Sequence, residues 1–384
     1  MTQANPYRRL RHAALLVCAT TLAGCGSPPK NPYFPPEPTT PIVIQREPEP
    51  GPEMVTLPDI LAPMLGLDLI DLAPPPLTNV PPATVASPVL PSRWGTGWVT
   101  LERFAAECGI GAPQRTVIGN SSRYSIQTRN GALVLTVGSK LARWNGINVW
   151  LGFAPQVVRG KPCVHGLDAE KTLQPLAEPI VINAPARIVV LDPGHGGVDS
   201  GTRGARGERE KDFTLDWALR TERLLTNVGW RVVLTRRSDV DVSLMERVAI
   251  ADRVRANLFI SLHFNSAAPH PGPSGVETYY LTPAGEPSTL SRGYTDDVRI
   301  TFPNNMFDRA NTQLAAKLHR ELVNETHAID AGIRHARFMG VLRTQQRPAV
   351  LIEGGYLSNP AEMTQIASAN YRQRLAEAVA KALQ

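Results

Sequence analysis

Several chemistries lack the residues they would need in this sequence. Its 384 residues hold only four cysteines (Cys18, Cys25, Cys108 and Cys163), and no two form a C-x-x-C pair, which argues against a cysteine zinc site. No H-E-x-x-H is present, so no single helix offers two histidine ligands and a base. Gly194-x-Gly196 is too short for a dinucleotide fingerprint, and no Walker lysine follows it. In Gly197-Val-Asp-Ser-Gly201 the serine stands one place late for a nucleophile elbow. Charged residues make up 19% and aromatic residues 6%, with no basic cluster interleaved with aromatics, so no nucleic-acid surface is expected. The net charge of +6 suits work near anionic polymers or lipid headgroups.

Long apolar runs are missing too. Arg8, Arg9 and Arg11 precede Ala13 to Ala23, a stretch of apolar and small residues too short to span a bilayer. Together they read as a secretory signal over 1–24. The signal ends Leu22-Ala23-Gly24-Cys25, followed by Gly26 and Ser27. This tetrapeptide resembles the lipobox of bacterial lipoproteins, which implies lipidation of Cys25. Several acyl chains would anchor the protein stably to a membrane. By resemblance to the sorting habit of Gram-negative bacteria, a residue 26 other than Asp implies the periplasmic face of the outer membrane.

The prolines are unevenly spread. Residues 26–92 carry 19 of the 35. Such a segment lacks backbone donors for a helix or a ladder, so 25–92 reads as an extended, semi-rigid tether. The apolar stretch Ile60 to Leu72 is the one place for a short helix within it.

Residues 93–180 change character. Short apolar runs alternate with Asn130-Gly131, Asn145-Gly146 and Arg159-Gly160, which are hairpin signals. A small β-rich domain is expected. In spacing, and in phrases such as Trp98-Val-Thr-Leu101 and Arg143-Trp-Asn-Gly146, it resembles the N-terminal-like domain of copper amine oxidases. That resemblance implies no copper chemistry. Cys108 and Cys163 both fall here, and in an exported protein a disulfide between them is expected.

Residues 186–384 alternate strands and helices, the pattern of an α/β sheet covered on both faces. Arg187 to Leu191, Arg231 to Leu234, Leu258 to Leu262, Val276 to Leu281 and Val350 to Ile352 read as strands. Asp212 to Asn227 is helical, Ser243 with Glu246 caps a second helix, and Tyr371 to Leu383 shows one apolar stripe of helical period.

In such sheets, function gathers where strands end at their carboxyl edge. Three strand ends carry His195, His263 and Glu353, and Glu210 lies in the polar loop before the first long helix. Two imidazoles and one carboxylate make a good zinc set with an open fourth position. A further carboxylate must then move a proton from water to the leaving nitrogen, and Glu353 fits that task. Glycines around His195 leave space for metal and substrate. Asp192 is placed to orient His195. Each residue also has a structural reading: a histidine at a strand end is often a packed one, and a glutamate in a charged loop is usually solvated. The residues by themselves leave the metal open.

The phrases Leu-Asp-Pro-Gly-His-Gly-Gly (191–197), Glu-Lys (210–211), Ser-Leu-x-x-Arg (243–247), Ala-x-Leu-Phe-Ile-Ser-Leu-His-Phe-Asn (256–265), Gly-Val-Glu-Thr-Tyr-Tyr (275–280) and Pro-Ala-Val-Leu-Ile-Glu-Gly-Gly-Tyr-Leu-Ser-Asn (348–359) close the question differently. In this order they resemble the zinc-dependent N-acetylmuramoyl-L-alanine amidases. The resemblance implies a mixed sheet of about six strands between helical layers and one zinc ion on His195, Glu210 and His263. It implies that Glu353 is the general base in cleaving the amide between N-acetylmuramic acid and L-alanine of peptidoglycan. Gly354-Gly355-Tyr356-Leu357 departs from the family's usual Thr-Gly-Phe-Ile, which touches packing beside the glutamate. Residues 283–308 exceed the minimal pattern, and a loop lining the substrate groove is expected there rather than a self-inhibitory plug. A binding protein that keeps the fold, and a zinc peptidase of related fold, are the competing readings. The β-rich part is expected to position the enzyme on glycan or on a regulatory or scaffold protein.

Overall fold

A computed structural model of the chain describes residues 93–384, apart from 205 and 292–295. The signal, Cys18, Cys25, the proline tether and the helix expected near Ile60 to Leu72 lie outside the described residues. Among the described residues, no helix is long and apolar enough to cross a membrane.

The β-rich segment contains strands β1 (Trp98–Thr100), β2 (Gln114–Ile118), β3 (Ser121–Thr128), β4 (Gly131–Thr136), β5 (Leu141–Trp144), β6 (Ile147–Trp150), β7 (Gln156–Val158) and β8 (Lys161–His165). The three turns read from sequence sit between β3 and β4, β5 and β6, and β7 and β8, each pair antiparallel. Helix α1 (Leu101–Cys108) opens on Thr100, whose side chain accepts from the amide of Arg103, and closes on Gly109 in the left-handed region.

The disulfide expected here is absent: Cys108 and Cys163 are both free thiols. The helix explains why. Cys163 pairs with Thr100 across β1 and β8, at the helix's start, whereas Cys108 is the helix's last residue. Eight helical residues rise about 12 Å, and bridged cysteines need Cα atoms within about 7 Å.

The second part follows the α/β expectation. Strands β9 (Ile188–Pro193), β10 (Arg231–Leu234), β11 (Leu258–Asn265), β12 (Val276–Tyr280), β13 (Asp330–His335) and β14 (Ala349–Tyr356) alternate with α2 (Glu210–Asn227), α3 (Leu244–Arg253), α4 (Asp308–Thr326), and finally α5 (Pro360–Ala367) and α6 (Ala369–Ala382). Their sheet order is β10-β9-β11-β14-β12-β13, six strands with β12 antiparallel to β14. Alternation along each strand sorts the faces. Val189, Leu191, Ile260, Leu262, Val350 and Ile352 join the core beneath α2, α6 and α4. Val190, Phe259 and Leu351 face the other way, toward α3 and the short helix Gly340–Arg343.

The sheet does not stop at six strands. β6 hydrogen-bonds to β13, with Ile333 opposite Val149, and the order runs on through β5, β4, β3 and β2 to eleven strands. Trp144, Leu133 and Ile126 belong to the same buried cluster as Val276, Leu322 and Leu383. Asp330 accepts from the amide of Asn148, and Lys171 pairs with Asp308 at 2.9 Å. β2 to β6 therefore share one sheet with the α/β part, β1, β8 and β7 form a separate three-stranded sheet, and both parts share one core.

Candidate metal centre

The period of two that builds the core also builds the site. His263 lies four residues past Phe259, and Glu353 two past Leu351, so both fall on the more thinly covered face of the sheet. The parallel ladder of β11 and β14 sets them directly beside each other. His195 arrives from the loop after β9, and Glu210 is the first residue of α2, where the helix dipole favours a carboxylate.

One donor atom from each of His195, Glu210 and His263 lies within 4.8 Å of the others. Glu210 Oε1 is 3.2 Å from His195 Nε2 and 3.0 Å from His263 Nδ1. The two rings stand nearly edge to face, 4.9 Å apart. Glu210 is buried, and its other partners are the amides of Phe264 and Thr202. Burial opposes its charge, but the two imidazoles outweigh that and hold its carboxyl well below the usual range. Burial likewise opposes charge on His195, yet its hydrogen bonds to Glu210 and Asp199 raise its pKa to about 9.

A divalent cation fits this donor set. A carboxylate so deeply buried needs compensating positive charge. Two nitrogens and an oxygen at this spacing leave one open position for water or substrate. Space is provided as expected: a Cβ on Gly194 would come within 2.2 Å of the His263 ring. His195 itself adopts φ 62°, which is rare for a residue with a side chain.

Asp192 does not orient His195. It is 1% exposed and accepts from Thr235 Oγ1 at 2.6 Å, Ser261 Oγ at 2.7 Å and an Arg247 nitrogen at 2.6 Å. Arg247 in turn donates to the carbonyls of Pro193 and His195. Asp192 therefore braces the backbone that carries His195. Asp192 lies on the same face as Val190 and His263, but its ladder neighbour Ser261, with Thr235 and Arg247, takes up its oxygens. The group that reaches the ring is Asp199, with Oδ2 at 2.7 Å from His195 Nδ1. Sequence reasoning passed over it. The signal was the spacing of four within a glycine-rich loop, which a reciprocal backbone pairing of Gly196 and Asp199 folds back on itself.

An open cavity of about 500 Å³ joins the triad to Glu353. Asn265, Ser266 and Thr202 line it with polar groups, and Phe338, Met339 and Leu351 with apolar ones. None of the described residues of 283–308 lines it, so the groove-lining loop expected there is not found. β12 runs antiparallel to β14, and the chain after β12 leaves from the opposite edge of the sheet. Two acids of that segment are paired, Asp296 with Arg337 and Asp297 with Arg299.

Residues 189–384 match the family Amidase_3, N-acetylmuramoyl-L-alanine amidase. N-acetylmuramoyl-L-alanine amidase AmiA of Escherichia coli (strain K12) is 29% identical over 215 residues, covering 51% of this chain and 74% of that protein. The AmiC amidase of Neisseria meningitidis serogroup B is 29% identical over 222 residues, covering 53% of each chain, so the chain spans only about half of that relative. The solved catalytic domain of CwlV, an N-acetylmuramoyl-L-alanine amidase from Bacillus (Paenibacillus) polymyxa var. colistinus, is 32% identical, covering 51% of this chain and 95% of that one with a TM-score of 0.42. With His195, Glu210, His263 and Glu353 all inside the matched residues, the chain belongs to the N-acetylmuramoyl-L-alanine amidase family.

Proposed function

We propose that this chain is a peptidoglycan hydrolase that cuts the amide between N-acetylmuramic acid and the L-alanine of the stem peptide, with zinc held by His195, Glu210 and His263. The observation that carries this reading is the convergence of those three donors, with Glu353 on the same cavity, at one edge of the sheet. Zinc, when bound, polarises a carbonyl oxygen and lowers the pKa of water.

The chain's own residues divide the remaining work. Asp199 holds Nδ1 of His195, which leaves Nε2 facing Glu210. Glu210 accepts from two amides and both imidazoles, so it is committed to the triad. Proton transfer falls to Glu353, which takes the proton of the attacking water and returns it to the leaving nitrogen. The apolar lining of the cavity suits small methyl-bearing groups, and its polar lining suits the amides of a stem peptide.

Digestion of purified peptidoglycan by the zinc-loaded protein tests this. Stem peptides with a free N-terminal L-alanine should appear, and Glu353→Gln should abolish them. Products cut only within the peptide would replace the amidase by a peptidase. We further propose that acyl chains on Cys25 hold the protein at the periplasmic face of the outer membrane, which the Leu22-Ala23-Gly24-Cys25 pattern supports. Labelling with a tagged fatty acid should be lost in Cys25→Ser.

A further inference from the structure

Side chains from five strands share the face of the sheet that carries the site, with Arg334, opposite Tyr279, set diagonally to Glu277. Trp150 stands on β6, Arg334 on β13, Glu277 on β12, Glu353 on β14 and His263 on β11. The ladder pairs Glu277 with Glu353, so two carboxylates lie side by side on antiparallel strands. Like charges so placed repel each other unless one is neutralised.

Glu277 is 2% exposed and fully engaged. Its Oε2 accepts from Asn265 Nδ2 at 2.7 Å, Tyr356 Oη at 2.9 Å and Tyr279 Oη at 3.0 Å. Its Oε1 accepts from Arg334 Nε at 2.7 Å. It thereby fixes Asn265, which lines the cavity, and Tyr356, three residues past Glu353. Among the described residues Arg334 is the one cation hydrogen-bonded to it, and the face of the Trp150 ring lies 4.2 Å from that guanidinium. The indole is itself pinned, donating to the carbonyl of Ala331 at 3.2 Å. Gly332 makes the room: a Cβ there would come within 2.9 Å of the indole nitrogen. A stacked guanidinium keeps its orientation better than a free one.

We propose that Trp150 of the β-rich segment is a positioning residue for Glu353, acting through Arg334 and Glu277 across the shared sheet. Trp150 holds Arg334 against Glu277, Arg334 neutralises Glu277, and Glu353 keeps its place beside a compensated neighbour. The β-rich segment then completes the amidase site as well as extending its sheet. This rests on Glu353 being the base of the proposed reaction.

The test uses the full chain and a soluble muramoyl peptide. Trp150→Leu should lower kcat about fivefold with KM within about twofold. Zinc content should not change. Trp150→Phe, which keeps an aromatic face, should stay within about twofold of the parent protein. Arg334→Lys, which keeps the charge but loses the flat stacking face, gives a second probe and should also lower kcat. In a Glu277→Gln background, with no charge left to neutralise, the Trp150→Leu effect should shrink below about twofold. Equal losses in the Leu and Phe variants, an unchanged kcat in Trp150→Leu, or an undiminished loss in the Glu277→Gln background would overturn the relay alone. A parent protein inert toward the peptide would remove the amidase reading and the relay with it.

Discussion

Replacing Asp199 by alanine separates an oriented metal centre from three donors that merely lie close. Asp199 accepts one hydrogen bond on each oxygen that bears on the site, from His195 Nδ1 at 2.7 Å and from the Gly201 amide at 3.0 Å. A hydrogen bond to a charged group contributes about 1.5–3 kcal/mol. The Asp199 side chain is 58% exposed, so solvent screening brings the expected loss to roughly 1–2 kcal/mol. That corresponds to zinc binding weaker by roughly 5- to 30-fold, which overlaps the lower part of the roughly 10- to 100-fold range typical of such partners. Competition against a chromophoric chelator measures it directly. His195→Ala sets the scale for losing a ligand outright, and Asp199→Asn should fall between alanine and the parent. Affinity unchanged in Asp199→Ala, or lost as completely as in His195→Ala, would refute the assignment of Asp199 as the group that orients the ring.

Further outcomes follow from the same geometry. With His195 raised to about 9 in the metal-free protein, zinc must displace a proton at neutral pH, so affinity should fall about tenfold per unit as pH drops below about 9. Calorimetry in buffers of different ionisation heat should find about one proton released per ion near pH 7. The same raised pKa stabilises the metal-free fold fully below about pH 6.5, and that contribution is lost as pH rises through about 9, which thermal melts across this window should show. Glu353→Gln should keep its zinc yet lose roughly 10²- to 10⁴-fold in hydrolysis, read as released stem peptide. Trp144 is fully buried in the shared core, so Trp144→Ala should cost about 3–5 kcal/mol in urea unfolding. The loss should appear in one transition for both parts of 93–384, and two separate transitions would contradict the common core.

Much of the fold was legible because it is written in local patterns. Asn130-Gly131 and Asn145-Gly146 mark hairpins, since tight two-residue turns need backbone angles these residues adopt cheaply. The apolar runs at 188–193 and 258–265 announce buried parallel strands, and Ser243 caps its helix through a bond three residues long. His195, His263 and Glu353 stood out because polar groups closing apolar strands are costly unless used. Asp192 misled for a related reason: it looks like a partner for the histidine three residues on, but Thr235, Arg247 and Ser261, all distant in the chain, occupy its oxygens.

The sequence by itself determined most of the strands and helices and the kind of chemistry, though not β13, because each depends on periodicity or on residue type within a short window. Tertiary structure alone decided the rest, because it depends on which strands become neighbours. Pairing β6 with β13 turned an expected separate domain into five more strands of the catalytic sheet. The antiparallel run of β12 sent the chain after Tyr280 away from the metal centre, to the opposite edge of the sheet. The length of α1 kept Cys108 from Cys163, and the fold-back at Gly196 brought Asp199 to His195. Contacts between residues far apart in the chain leave no period to read, since they exist only once the whole sheet has assembled.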